Sequence, residues 1–167
     1  MKLLIIDLSV FPVFVGHVSG GELHMIKACK RFIEEGFKIT IITTPSGKQK
    51  FNSYNISATL DIIKIPFEVN ISKSVIGLLI IYFLRMIMAI PHIIKHSNYV
   101  AVFSFSNFLV DVLPAVIAKK NYTSNLFGYV HHLEPSPVAR RKYHPLLPSI
   151  FSYLSDIFSL SFLRPYY

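Results

Sequence analysis

His131 and His132 close an apolar run at Asn125–Val130, and Arg140 and Arg141 follow in the same loop. A neutral imidazole hydrogen-bonds a sugar hydroxyl, and a protonated one assists a departing phosphate. Guanidinium groups match phosphate oxygens. Neighbouring histidines on an extended segment point to opposite sides, so this pair is not expected to share a metal. The alternative is a polar loop in which one histidine is satisfied locally. A second loop carries Gly16, His17 and the pair Gly20–Gly21 immediately before a helical pattern. Free N–H groups and the positive dipole end at a helix N-terminus suit a phosphate, and glycines let it approach the backbone. A tight turn would also need those glycines. His17 is placed to face a cleft.

Other polar residues read as structural. Within Ser104-Phe105-Ser106-Asn107, Ser106 or Asn107 is expected to cap the following helix. Asp111 falls in that helix's first turns, where an acid is favourable. Glu22, His24 and Lys27, early in the first helix, are expected to face water, the alternative being the cleft, and Cys29 to be a small core residue. His92, His96 and His144 have no evident partner. The spacing Gly16-x-x-x-Gly20-Gly21 is not a dinucleotide fingerprint, and the strand ending at Thr43–Thr44 supplies no acid for a ribose. There is no Gly-Lys-Ser/Thr phosphate loop and no Gly-x-Ser-x-Gly elbow. Nicotinamide oxidoreductases, P-loop ATPases and serine hydrolases are therefore disfavoured.

Alternating strand-length and helix-length segments must position these loops. Strands are expected at Lys2–Leu8, Lys38–Thr43, Leu60–Ile65, Tyr99–Phe105 and Asn125–Val130. Helices are expected at Gly20–Glu35, Ser72–Lys95, Asn107–Lys119 and Leu146–Leu163. In the first helix Leu23, Ile26, Ala28, Phe32 and Ile33 form the apolar stripe, and Gly36 stops it. Pro45–Gly47 reads as a turn, and Lys48–Ala58 and His131–His144 as polar loops. Near-continuous apolar strands separated by helices imply an α/β domain: a Rossmann-like, doubly wound parallel sheet covered on both faces. Ligands of such sheets lie at the strands' carboxyl ends. That selects Ser9–Gly21, Thr43–Ser46 and His131–Arg141.

Composition narrows the class. The 167 residues fit one domain, 52% are apolar, and only 16% are charged. Some apolar surface is therefore expected to meet a partner, a further domain or a bilayer. The net charge of +8 suits a phosphorylated lipid or sugar nucleotide. Without an aromatic-basic ladder, nucleic acid is not expected. Two segments imitate membrane signals. Met1–Val15 could be a signal peptide, but Asp7 inside it favours a buried strand. Val75–Ile94 nears transmembrane length, but central Arg85 and Pro91 favour a buried or membrane-facing helix.

The stretch from Gly20-Gly21-Glu22-Leu23-His24 through Gly36-Phe37-Lys38-Ile39-Thr40-Ile41-Ile42-Thr43 resembles the start of family 4 glycosyltransferases. Phe37 stands where that family usually has histidine. Ser104-x-Ser106, Asp111-x-x-Pro114-Ala115 and the His131–His132 loop resemble it too. The resemblance spans nearly the whole chain and implies the N-terminal, acceptor-side half of a GT-B fold. It implies that Gly20 and Gly21 touch a donor diphosphate, and that His131, with His132 as substitute, contacts the donor sugar. The enzymes are typically retaining, with a nucleotide sugar as substrate and no cofactor or metal expected. The donor-binding domain with its paired glutamates would lie outside residues 1–167. The expectation is thus a transferase domain whose lipid or saccharide acceptor is served only with a C-terminal half. The alternative is a non-catalytic, membrane-recruiting subunit of a split transferase. Either would be cytoplasmic and peripheral at the membrane.

Overall fold

The computed structural model describes residues 1–9, 20–66, 74–95, 98–122, 125–128, 154 and 157. Among these residues five strands form one parallel sheet: β1 (Lys2–Asp7), β2 (Lys38–Thr43), β3 (Thr59–Ile62), β4 (Ala101–Ser104) and β5 (Asn125–Gly128). Their order is β3-β2-β1-β4-β5. The chain winds outward from β1 to β3, then crosses back to β4 and β5. The winding direction therefore changes between β1 and β4, at the point where such folds open a ligand crevice.

Side-chain alternation along β1 builds both layers. Ile5 joins Met25, Ile26, Cys29, Ile39, Ile41 and Phe51 on one face. Leu4, Ile6 and Leu8 join Ala89, Ile93, Val102, Val112 and Ala115 on the other. All of these are buried, so β1 is apolar at every position before Asp7 except Lys2. The Met1–Val15 apolar run thus begins with the sheet's central strand, as expected.

Helices α1 (Gly20–Glu34) and α2 (Pro45–Ser53) cover the Ile5 face. Gly36, at φ 84°, ends α1 in the left-handed conformation that glycine adopts at little cost. The Phe37 N–H donates to the Phe32 carbonyl and the Gly36 N–H to the Ile33 carbonyl, each at 2.9 Å. This is a Schellman cap, which favours an apolar contact across it. Phe37 supplies that contact, edge-on to Phe32 at 5.9 Å. In α1 the buried residues are Met25, Ile26 and Cys29, with Phe32 and Ile33 packed on them. Leu23, expected on this stripe, is exposed.

The expected turn and polar loop after β2 are instead the helix α2. Thr44 is its N-cap, accepting from the Gly47 N–H at 3.2 Å, and Pro45 occupies the first turn. The helix is nearly all polar, and Phe51 is its buried apolar residue. One anchor gives no periodicity, so only the Thr-Pro start marked it.

Helices α3 (Val75–Lys95) and α4 (Leu109–Tyr122) cover the other face. Both end with basic residues in the last turn, as the helix dipole favours. Ile81, Arg85, Ala89 and Ile93, spaced by four, are the buried face of α3.

Candidate functional site

The carboxyl edge of the sheet holds a buried polar layer. Parallel register sets Asp7 opposite Thr43 and Ile6 opposite Ser104. The Thr43 hydroxyl donates to Asp7 Oδ2 at 3.2 Å. Lys50, reaching in from α2, lies 3.2 Å from Asp7 Oδ2 and 3.2 Å from Glu22 Oε1. Its ammonium also sits 4.5 Å from the centroid of the Phe105 ring, a cation–π contact. Burial alone would lower the Lys50 pKa, but Asp7 and Glu22 raise it overall, so the ammonium stays charged. Burial pushes the Asp7 carboxyl up, against the pull of Lys50.

Gly47 makes this packing possible. A Cβ there would stand 1.9 Å from Thr43 Oγ1 and 3.2 Å from Asp7 Oδ2. The first turn of α2 therefore lies directly on the end of β2.

A second group sits at the switch point. Asp111 Oδ1 accepts from the Leu8 N–H at 2.5 Å, and Oδ2 accepts from the Ser106 hydroxyl. Ser104 in turn donates to the Ser106 carbonyl. Arg85 of α3 donates to the Leu8 carbonyl. Residue 8 is thus held through its N–H by α4 and through its carbonyl by α3. Burial, followed by the charge of Asp7, pushes Asp111 up to about 7; bonds from Ser106, Leu8 and Ser9 act in the opposite direction. Burial lowers Arg85 to about 10, opposed by Asp111 and Asp7.

Asp111 accordingly does more than complement a helix dipole: it is fully buried and fastens the end of β1. The Ser106 hydroxyl also accepts from the Phe108 N–H at 3.2 Å, a local turn ahead of α4 rather than the expected cap, because α4 begins only at Leu109 and its first amides bond the Phe108 carbonyl. Glu22, expected in water, pairs with Lys50. His24 and Lys27 are exposed, and Cys29 is buried, as expected. His92 has a partner that sequence did not reveal, Asp61 at 3.4 Å.

Of the expected ligand residues, Gly20 and Gly21 open α1. Its first turn holds Glu22, whose charge Lys50 offsets, so the N-terminus is not set against an anion. His17, His131, His132, Arg140 and Arg141 lie outside the described residues. No group of three metal-ligating side chains occurs among the described residues.

No family model and no curated protein matches the chain. Solved structures do. The calicheamicin glycosyltransferase CalG4 matches 99% of this chain with a TM-score of 0.59 at 11% identity. The glycotransferase of kitacinnamycin matches 98% with a TM-score of 0.56, also at 11% identity. HepE of Anabaena, solved in complex with UDP and glucose, matches 99% with a TM-score of 0.50 at 17% identity. This chain spans 42%, 38% and 36% of those chains respectively. The five-stranded parallel sheet of order β3-β2-β1-β4-β5 is the Rossmann-like architecture of one half of a GT-B glycosyltransferase.

Proposed function

We propose that this chain is the acceptor-side half of a retaining, nucleotide-sugar-dependent glycosyltransferase of the family 4 type. It acts on a lipid or saccharide acceptor once a donor-binding half is joined to it. The observation that carries the reading is the match of nearly the whole chain to about two fifths of solved glycosyltransferases. The opening of α1 at Gly20–Gly21, beside the switch point, supports it. There the backbone N–H groups would receive the donor diphosphate, and Lys50 removes the repulsion that Glu22 would otherwise exert. His131, His132, Arg140, Arg141 and His17 complete the proposed ligand set, with His131 against the donor sugar.

The donor-binding half comes from continuation of the same chain or from a separate polypeptide, in which case this chain is the acceptor-recruiting subunit. The short span relative to the solved transferases favours a partner domain in both versions. Reading the gene beyond the Tyr167 codon, with affinity purification from the native cell, distinguishes them. A frame encoding a second α/β domain with paired glutamates supports the first version. Stable co-purification of a separate donor-binding protein supports the second. Titration of the isolated chain with UDP-sugars should give weak or no binding. Tight binding, with sugar transfer by this chain alone, would overturn the two-half reading.

A further inference from the structure

Helix α3 has two unlike faces. The inner one carries Ile81, Arg85, Ala89 and Ile93 into the core. The outer one carries Ile76, Ile80, Phe83 and Ile87, again at helical spacing, with Leu79, Met88 and Ile94 beside them. Ile76 is 73% exposed, Phe83 59% and Ile94 66%. An amphipathic helix on a globular domain normally turns charged and polar residues outward. This one turns out isoleucine and phenylalanine, and it contains no Asp or Glu along its 21 residues. Contiguous exposed apolar surface of this kind marks an interaction site.

Four observations select the occupant. Ile76–Lys95 is long and apolar enough to cross a membrane by length and composition, yet 28% of it is buried inside the domain. Arg85 is fastened to the Leu8 carbonyl, so lipid cannot surround the helix. Pro91 lies within α3 and frees a backbone carbonyl one turn earlier, which is tolerated near water and costly in hydrocarbon. Charge supplies the fourth. α3 and α4 both return from the carboxyl to the amino edge of the parallel sheet, so their ends lie at the same edge. Exposed Lys95 and Lys120 stand there, on a chain of net charge +8.

We infer that the outer face of α3 docks in the plane of an anionic lipid surface, with Ile76, Ile80, Phe83 and Ile87 entering the headgroup boundary. An apolar stripe with basic residues at its margin is the pattern of an interfacial helix. α3 runs from the carboxyl to the amino edge of the sheet, so docking lays this whole flank of the domain, the candidate ligand edge included, along the bilayer. This inference does not depend on the transferase reading, because vesicles contain no sugar nucleotide.

The test is flotation of the full chain with vesicles of phosphatidylcholine alone, or mixed with phosphatidylglycerol. Binding to the mixed vesicles is expected, weakened about tenfold when salt is raised and by a similar factor in Phe83→Asp. The chain has no tryptophan, so Phe83→Trp gives a second readout that preserves the fold. Its indole should shift to the blue and be quenched by brominated lipid, while Phe37→Trp, on the other layer, should not respond. Absence of vesicle binding by the unaltered chain would overturn the inference. So would an unquenched indole at 83. If Phe83→Asp instead converts a dimer to a monomer and leaves vesicle binding unchanged, the face joins two copies and the inference fails.

Discussion

Lys50 Nζ stands 3.2 Å from Asp7 Oδ2 at the carboxyl end of β1, its side chain 8% exposed and that of Asp7 fully buried. Asp7 sits on the central strand, Lys50 on α2, and Glu22 on α1 completes the trio. One ammonium thus joins three separate elements at the carboxyl edge of the sheet. The other Asp7 oxygen, Oδ1, has no hydrogen-bond partner among the described residues, which leaves Lys50 and Thr43 to hold the carboxylate.

Lys50→Met should therefore cost about 3–5 kcal/mol, the usual penalty for leaving a buried charge without its partner. Urea unfolding measures it. Adding Asp7→Asn to Lys50→Met should recover about half of the loss or more, because the stranded charge is gone. Equal loss in the single and double variants would show that the stranded Asp7 charge is not the source of the cost.

Stability should fall as the pH rises from acid toward neutrality. Asp111 is pushed up to about 7 by burial, so the folded state binds this proton more tightly than the unfolded chain does. The contribution is fully present below the unfolded carboxyl value of about 3.9 and is lost as the pH passes through 7. Asp7 is shifted in the same direction. Urea midpoints measured between about pH 4.5 and 7.5 should slope downward. Asp111→Asn keeps an acceptor for the Leu8 N–H and should flatten part of that slope.

Two glycines should respond differently to alanine. Gly47→Ala drives a Cβ to 1.9 Å from Thr43 Oγ1, an overpacking that costs about 1–3 kcal/mol and disturbs Asp7. Gly36→Ala meets open space but holds φ at 84°, so its cost is conformational, about 1 kcal/mol. Thermal melts of both variants check this. A loss at position 36 exceeding that at 47 would contradict the packing described around Asp7.

Cys29 should be chemically silent in the native state. Burial, then the nearby Asp7 charge, pushes its thiol up to about 12, and the thiolate is the reactive form. A chromogenic disulfide reagent at mildly alkaline pH should label it only as fast as the domain opens, and stoichiometrically in urea.

β1 and β2 were legible as short, near-continuous apolar runs of the kind a sheet covered on both faces requires, and the three long helices because their apolar residues recur at about 3.6 residues. The Gly36 stop was legible because a Schellman cap needs the residue type found there. α2 was not, since Phe51 alone anchors it and the remaining evidence lay in the Thr44-Pro45 start. The polar layer was hidden for another reason. Asp7, Lys50, Asp111 and Arg85 are far apart in the chain, and only the sheet register with the crossing of α2 and α3 brings them together. Glu22 looked like a solvent-facing first-turn acid for the same reason: its partner lies 28 residues away.

The bond from Arg85 to the Leu8 carbonyl has a mechanical consequence. A guanidinium in van der Waals packing on all sides has no slack, because close-packed interiors transmit displacement rather than absorb it. A push or rotation applied to α3 is therefore delivered to residue 8, just past the end of β1. The position of that residue is set partly by an arginine 77 residues further along the chain, and a load on the flank of the domain reaches the carboxyl edge of the sheet without any change in the strands between.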